Sequence, residues 1–246
     1  MSVKFLRRPS VVIMVRVLVA IADDSEEIET ACITDVLVRA GVDVTVASVM
    51  PEGRLQCKMA RGLKVCFPRP TLRSAATPGT RLAPGQHLFP AILPPFGPCQ
   101  VVADMPISAC AGREWDAIAL PGGMPGAQHL ADCAPLVAML KAQITAGKTV
   151  AAVCAAPAVV LAAHGLLPAR ATSYPAAPLK GKVAAAGSEW TDARVVEEGC
   201  VITSQGPGTS LQCAPINLVY IYIYMYTHLY IYSYSSGSPI KKQLRQ

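Results

Sequence analysis

The sequence of 246 residues lacks several patterns that would assign it to a particular class. No window contains the roughly 18 consecutive apolar residues of a membrane-spanning helix, so we expect no membrane partner. A GxGxxG turn is missing after the first apolar strand, which argues against a dinucleotide cofactor. The nine cysteines form neither CxxC pairs nor the Cys/His spacing of a zinc site, and a secretory signal is also missing. We therefore expect reduced thiols, no bound metal or cofactor, and a cytoplasmic location, although the basic N-terminus leaves organellar targeting open.

Acidic residues are missing from three stretches, and this accounts for the net charge of +6. Residues 1–13, 66–100 and 211–246 carry nine basic residues and no acid, whereas the remainder carries 13 basic and 16 acidic residues. A nucleic-acid-binding surface requires basic residues gathered on one folded face. The basic excess lies instead in stretches unlike the rest of the chain, so we expect no nucleic-acid partner.

What the sequence does contain is an alternation of apolar β-branched runs with helical patterns. Residues 14–21 and 42–49 predict buried parallel strands on either side of a helix that ends at Gly41. We expect one of three residues, Asp23, Asp24 or Ser25, to cap this helix. Its apolar residues recur at helical spacing, namely at Ile28, Cys32, Ile33, Val36 and Leu37. The predicted class is therefore α/β, with a parallel sheet covered by helices.

A further apolar run leads directly into a cysteine. Residues 150–153 predict a buried strand, and the Ala/Leu/Val-rich residues 155–164 predict a helix in which Pro157 is tolerated in the first turn. Cys154 would lie at the elbow between them, where the helix dipole favours a thiolate. The alternative is that Cys154 is a small apolar residue in a buried, alanine-rich segment.

Two glycine-rich turns follow other predicted strands. Residues 121–126 follow the strand at 115–120, and residues 205–210 follow the strand at 201–204, which is preceded by a hairpin at 195–199. Such turns can direct backbone N–H groups at an anion, or they can simply be tight connections. We expect helices to start near Ala127 and Pro135, and no helix after Ser210.

Two segments differ from the predicted single domain at 14–210: residues 66–100 interrupt it, and residues 211–246 follow it. Residues 66–100 contain eight prolines and no acid, which fits a lid, a disordered insertion or non-native coding sequence; removing them joins Val65 smoothly to Val101. Residues 211–246 hold seven of the eight tyrosines in a Tyr/Ile alternation. This pattern fits an amphipathic strand or translated TA-repeat DNA, and we favour the latter.

Four stretches together resemble the DJ-1/PfpI superfamily. They are Glu-Glu-Ile-Glu-Thr at 26–30, Leu-Pro-Gly-Gly-Met-Pro-Gly-Ala-Gln at 120–128, Ala-Ala-Val-Cys-Ala-Ala-Pro-Ala at 151–158, and Val-Ile-Thr-Ser-Gln-Gly-Pro-Gly-Thr-Ser at 201–210. The resemblance covers residues 14–65 and 101–210 and is closest to the small single-domain DJ-1 branch. It implies a flavodoxin-like parallel sheet sandwiched by helices, as in class I glutamine amidotransferases, and a homodimer.

The resemblance also assigns roles to residues. It implies that Cys154 is the nucleophile and that Glu29 is a buried, protonated carboxyl that hydrogen-bonds the thiolate. Backbone N–H groups of three residues would surround an oxyanion, namely Gly122, Gly123 and Ala155. Tyr174 stands where some members carry histidine, so it becomes a pocket residue in place of a histidine proton shuttle. The cysteine–histidine dyad of the protease-like branch is missing, because Ala155 follows the cysteine.

Two function classes remain open at this point. The first is a cofactor-free glyoxalase or deglycase that handles a small reactive 2-oxoaldehyde such as methylglyoxal through Cys154 and Glu29. The second is a non-enzymatic redox sensor and holdase chaperone that works through oxidation of the same cysteine. A glutamine amidotransferase is disfavoured, because the His-x-Glu pair expected late in the chain is missing.

Overall fold

The computed structural model describes residues 15–61, 100–211 and 213. Nearly all of the proline-rich segment 66–100 and nearly all of the tyrosine-rich segment 211–246 lie outside these residues. The start of β4 at Gln100 places the last residue of the predicted 66–100 insertion in a strand.

A seven-stranded sheet forms the centre of the molecule. The strands among the described residues are β1 (Arg16–Ile21), β2 (Asp43–Ser48), β3 (Gln56–Lys58), β4 (Gln100–Val102), β5 (Met105–Pro106), β6 (Ala117–Leu120), β7 (Thr149–Val153), β8 (Arg170–Ala171), β9 (Glu189–Trp190), β10 (Val195–Glu198) and β11 (Val201–Ser204). The order in the sheet is β10-β11-β7-β6-β1-β2-β5, and β10 is its antiparallel member. Strands β3 and β4 form an antiparallel pair, and β8 and β9 form a parallel pair.

The part of the chain that the structure describes contains four complete α-helices: α1 (Glu27–Arg39), α2 (Gly126–Asp132), α3 (Ala134–Thr145) and α4 (Ala177–Ala185). Helix α1 packs against β1 and β2, and α3 packs against β6 and β7. In β6, β7 and β11 every residue is buried, as expected for parallel strands covered on both faces. The predicted α/β class, a mostly parallel sheet flanked by helices, is therefore confirmed. Among the described residues, no helix has the length and apolar character that crossing a bilayer requires.

The start of α1 differs from the prediction. Glu26 is the N-cap residue, and its carboxylate accepts a hydrogen bond from the Glu29 N–H at 2.8 Å. Asp23 instead binds the Arg54 guanidinium, and Ser25 Oγ accepts from the Ala22 N–H at 3.0 Å. Two of the three residues predicted as caps therefore use their side chains to shape the preceding loop.

Two of the predicted apolar residues of α1 face the core, and one does not. Ile33 and Leu37 are buried, whereas Ile28 is 52% exposed. An exposed isoleucine beside a buried carboxyl is compatible with the expected homodimer, which stays a prediction.

The later helices also differ in part from the prediction. After Cys154 the chain forms one wide π-helical segment, Pro157–Leu161, followed by a 3-10 turn at Ala162–His164, in place of a regular α-helix. The prediction of no helix after residue 210 is wrong at its first turn, because Ser210, Leu211 and Cys213 are helical. Helix α4 was not predicted, because it buries a single residue, Val183, and contains a glycine.

Candidate active site

The candidate site lies where four neighbouring strands end. Strands β11, β7, β6 and β1 are adjacent in the sheet and parallel, so their carboxyl ends meet at one edge. This edge is the usual place for a ligand in an open α/β sheet. It gathers the loop that leads to Glu29, the Gly122–Gly123 turn, Cys154 and the 205–209 turn.

Cys154 occupies a strained position at the end of β7. Its φ angle is +63°, a left-handed conformation that residues other than glycine seldom adopt. Two backbone hydrogen bonds hold it there: its N–H donates to the Ser204 carbonyl at 2.9 Å, and its carbonyl accepts from the Tyr174 N–H at 2.8 Å. The side chain is 9% exposed. The predicted elbow is therefore present, and the surrounding backbone maintains the strain.

Glu29 is a fully buried carboxyl in the first turn of α1. Its Oε2 accepts a hydrogen bond from the Gly122 N–H at 2.7 Å, whereas its Oε1 is buried and has no hydrogen-bond partner. Because an N–H can only donate, Oε2 must be the accepting oxygen, and Oε1 is the oxygen that can carry a proton. A protonated Oε1 could donate to the neighbouring Cys154 sulfur, which would satisfy its hydrogen-bonding capacity.

The surroundings of Glu29 favour its protonated form. Burial raises the pKa of the Glu29 carboxyl to about 7, against smaller lowering effects from the Gly122 N–H and the Cys154 thiol. The charge of Glu26 raises this pKa further. Glu29 can therefore give up or accept a proton near neutral pH.

The pKa of the Cys154 thiol depends on the charge of Glu29. Burial raises the pKa of Cys154 to about 12, and the carboxylate form of Glu29 adds to this rise. The Gly123 and Ala155 N–H groups lower the pKa by hydrogen-bonding the sulfur. Burial thus outweighs the expected thiolate-favouring effect of a helix dipole. When Glu29 holds the proton, its repulsion of the thiolate disappears, and this part of the rise in the Cys154 pKa is removed.

Gly122 differs from its expected role. Its N–H is engaged with Glu29, so it links the turn to the carboxyl and does not point at the sulfur. A Cβ at this position would lie 2.7 Å from Cys154 Cβ and 2.8 Å from the Ala155 N. Only glycine allows this close approach, which brings the turn against the cysteine. Gly123 and Ala155 remain the candidate oxyanion donors.

Gly123 brings the β1 loop and the β6 loop together. Its φ angle is +90°, and a Cβ there would lie 2.3 Å from the Asp24 carbonyl oxygen and 2.7 Å from the Glu26 N. The Glu26 N–H also donates to the Gly122 carbonyl at 3.1 Å. These contacts fix the start of α1, and with it the position of Glu29.

Tyr174 flanks the site with its ring against Gly206. A Cβ on Gly206 would lie 3.3 Å from Tyr174 Cδ2 and 4.0 Å from Glu29 Oε1. The tyrosine is 47% exposed and lines a cavity beside the 205–209 turn. Its role as a substrate-pocket residue stays a prediction.

Sequence reasoning missed the hydroxyl groups that hold this turn. Ser204 Oγ lies 2.6 Å from Thr209 Oγ1, and the Thr209 hydroxyl donates to the Gly206 carbonyl at 2.9 Å. The Gly206 N–H donates back to Thr209 Oγ1 at 3.0 Å. The signal in the sequence was the Thr-Ser dipeptide at 209–210, because Thr and Ser hydroxyls commonly hydrogen-bond the backbone of a turn. Within the described ranges, no cluster of His, Cys, Asp and Glu could hold a metal ion.

Comparison with known proteins places these features in context. The DJ-1/PfpI family model matches residues 97–215. The DJ-1 homolog B of Arabidopsis thaliana is 33% identical over 80% of this chain, which spans 36% of that protein. The glutathione-independent glyoxalase DJR-1.2 of Caenorhabditis elegans is 31% identical over 78% of this chain and 80% of its own length. The solved structure of oxidized Toxoplasma gondii DJ-1 is 36% identical, with a TM-score of 0.64, and covers 85% of this chain and 92% of that one.

Proposed function

Because the chain belongs to the DJ-1/PfpI family, we propose that it converts small 2-oxoaldehydes such as methylglyoxal into 2-hydroxy acids without a cofactor. Removal of early glycation adducts would use the same thiol chemistry. The observation that carries the proposal is the buried Glu29 carboxyl, with a pKa of about 7 and an unpartnered Oε1. Such a group can act as acid and base at neutral pH. The name of the nematode glyoxalase relative supports the same activity.

The first step is addition of the Cys154 thiolate to the aldehyde carbon. The S–C bond forms, and the electron pair of the C=O double bond moves to oxygen. The Gly123 and Ala155 N–H groups, which hydrogen-bond the sulfur, are close enough to stabilise the developing negative charge. Glu29 then gives its proton to that oxygen, which yields a hemithioacetal and leaves a carboxylate.

The second step moves one proton between neighbouring carbons. The Glu29 carboxylate removes the proton from the former aldehyde carbon, and the electron pair moves through the new C=C bond onto the adjacent ketone oxygen. Glu29 then returns the proton to the former ketone carbon, while the hydroxyl proton of the hemithioacetal passes to the former ketone oxygen, so that a C=O bond forms at the carbon attached to sulfur. The aldehyde carbon is oxidised and the ketone carbon is reduced, so no external oxidant is required. The product is a thioester on Cys154, and water cleaves its C–S bond to release the hydroxy acid and restore the thiol.

The test is lactate formation from methylglyoxal by the purified chain. Cys154→Ser and Glu29→Gln should each lower kcat/KM by at least about 100-fold, because they remove the nucleophile and the acid–base group. Cys32→Ser is a matched control, since Cys32 is a half-buried thiol on the same helix as Glu29, and it should keep parent activity. Parent-level lactate from Cys154→Ser, or no lactate from the parent, would refute the proposal.

A second candidate function uses the same cysteine as a redox sensor coupled to holdase activity. The oxidized form of the Toxoplasma gondii relative supports it. The Gly123 and Ala155 N–H groups also support it, because they can stabilise the negative charge of a sulfinate.

Glu29→Gln separates the two candidates, because glutamine keeps a hydrogen-bond donor but cannot move a proton. Lost turnover with nearly intact peroxide reactivity indicates an enzyme. No turnover in the parent, with peroxide reactivity that depends on Glu29, indicates a sensor.

A further inference from the structure

Two buried carboxyl groups lie three residues apart at the start of α1, and the chemistry proposed for the site uses only that of Glu29. Glu26 is 2% exposed, and Glu29 is fully buried. A buried acidic side chain is costly unless it is hydrogen-bonded, and a second one close by adds repulsion. The closeness of the two groups therefore calls for a physical reason.

A ring of three hydrogen bonds joins Glu26, Glu29 and Gly122. Glu26 Oε2 accepts the Glu29 N–H at 2.8 Å, Glu29 Oε2 accepts the Gly122 N–H at 2.7 Å, and the Gly122 carbonyl accepts the Glu26 N–H at 3.1 Å. The Glu26 carbonyl also accepts two hydrogen bonds from Thr30, one from its N–H at 3.1 Å and one from its hydroxyl at 2.8 Å. These bonds fix both the backbone and the carboxylate of Glu26, so its charge is held beside the first turn of α1, where Glu29 lies.

Charged and titratable groups act on Glu29 from several parts of the chain. Burial is the largest cause of its raised pKa, and the charge of Glu26 adds to it, whereas the charge of Arg61 lowers it. Arg61 is exposed, so solvent screens its charge more than that of the buried Glu26. The neighbouring acid Glu27 accepts the Arg61 N–H at 2.9 Å. Thiols also lie within electrostatic reach of Glu29, and burial and the charge of Glu29 both raise their pKa values: Cys154, Cys213 and Cys32.

We propose that Glu26 is a positioning residue, which fixes the Glu29 backbone by capping α1 and, through its own negative charge, retains the proton on the Glu29 carboxyl. A like charge nearby makes loss of that proton less favourable. Glu26 acts through Glu29 and has no step of its own in the reaction. The inference rests on the proposed function only for its meaning in catalysis, because ionisation of Glu29 can be measured without turnover.

The first experiment compares Glu26→Asp with Glu26→Asn, two variants of the same shape that differ in charge. Aspartate and asparagine are both strong helix N-caps, so both variants keep the cap of α1. The pH at which Glu29 ionises is read from carbon-13 NMR of its side-chain carboxyl carbon, which is assigned by its loss in Glu29→Gln. The midpoint should be lower by about 0.5 pH unit in Glu26→Asn, the effect of removing a like charge about 6 Å away even at the dielectric constant of water.

A control removes the same charge from the exposed face of the helix. Asp35 pairs there with Arg39 at 2.7 Å. Asp35→Asn should leave the Glu29 midpoint unchanged, because solvent screens the charge of an exposed residue. If Glu26→Asn does not fold, Glu26→Gln provides the same comparison against the parent, because it keeps the length of the side chain and an accepting oxygen.

A second measurement follows the pH dependence of lactate formation from methylglyoxal. The proposed reaction needs one negative charge on the thiol–carboxyl pair, so kcat/KM should rise as pH passes the Glu29 midpoint. The rise should occur about 0.5 pH unit lower in Glu26→Asn than in Glu26→Asp, so the ratio of their rates should change about threefold between about pH 5 and about pH 8. A merely structural role of Glu26 would change the height of the profiles and leave the pH of the rise in place.

Two results would overturn the inference: a Glu29 midpoint in Glu26→Asn that equals or exceeds that in Glu26→Asp, or an equal shift in Asp35→Asn. A lower NMR midpoint with an unmoved lactate profile would overturn the positioning role in catalysis. A lower midpoint in Glu26→Asn, with no lactate from the parent, would refute the proposed function and leave standing the effect of Glu26 on the Glu29 proton.

Discussion

Replacing Glu29 by glutamine should change how stability depends on pH, in a direction that follows from its raised pKa. Below pH 4.5, the ordinary pKa of a glutamate here, native and unfolded chains both hold the proton, and the group does not affect the folding equilibrium. Between pH 4.5 and about 7 the unfolded chain releases this proton while the native chain keeps it. The stability is thus fully present below pH 4.5 and falls as pH rises, and the loss is complete once pH passes about 7.

The size of this loss follows from the two pKa values. A rise from 4.5 to about 7, at about 1.4 kcal/mol per unit, corresponds to about 3 kcal/mol of unfolding free energy at pH 8. Glu29→Gln cannot titrate, yet its side-chain oxygen can still accept the Gly122 N–H. The parent should therefore lose about 3 kcal/mol relative to this variant between pH 4 and pH 8.

The assay is urea denaturation of both proteins at several pH values, followed by fluorescence of the buried Trp115. The difference between the proteins is the useful quantity, because other titrating groups cancel. Asp23, whose pKa is lowered by its hydrogen bond to Arg54, contributes the opposite slope to both proteins. Parallel stability profiles from pH 4 to pH 8 would show that Glu29 titrates normally, and this would remove the basis for its acid–base role.

Two further predictions concern the cysteine and the Gly123 turn. After mild peroxide treatment, peptide mass spectrometry should find sulfinate first at Cys154, because the Gly123 and Ala155 N–H groups stabilise the oxidised sulfur; earlier modification of Cys57 or Cys110 would contradict this assignment. Gly123→Ala should destabilise the fold by more than Gly147→Ala and slow Cys154 alkylation. Both glycines have positive φ, but a Cβ at 123 would meet the Asp24 backbone, whereas at 147 nothing lies within 4 Å. Equal losses in the two alanine variants would show that the close packing at Gly123 does not matter.

Most of the central sheet could be predicted because its strands are continuous apolar runs. Strands β1, β6 and β7 bury nearly every residue, and such runs remain recognisable whatever surrounds them. Helix α4 escaped prediction because its one buried residue, Val183, leaves no apolar stripe. The pattern of apolar and polar residues therefore predicted only those strands and helices that are extensively buried.

The geometry of the site was less predictable, because it depends on contacts between distant parts of the chain. The hydrogen bond from Gly122 to Glu29 joins residues 93 apart, and it removes one N–H from the predicted oxyanion donors. The cap of α1 falls on Glu26, because Asp23 is drawn to Arg54 at 2.7 Å. Which of several acidic residues in one loop caps the helix depends on the partners of the others, and the local sequence does not reveal those partners.

The burial of Cys154 and Glu29 has a consequence for any chemistry at this site. A thiolate and a carboxylate cannot both be stable in a dry pocket, since burial raises the pKa of both groups and the charge of Glu29 raises that of Cys154 further. The pair therefore has one negative charge to place, and the Gly123 and Ala155 N–H groups favour the sulfur while the Gly122 N–H favours the carboxylate. Glu29, whose pKa is about 7, is therefore the member of the pair that exchanges a proton near neutral pH. An exposed cysteine would be ionised by solvent alone and would need no such partner, so the buried pair is suited to a reaction in which one proton is given and taken in turn.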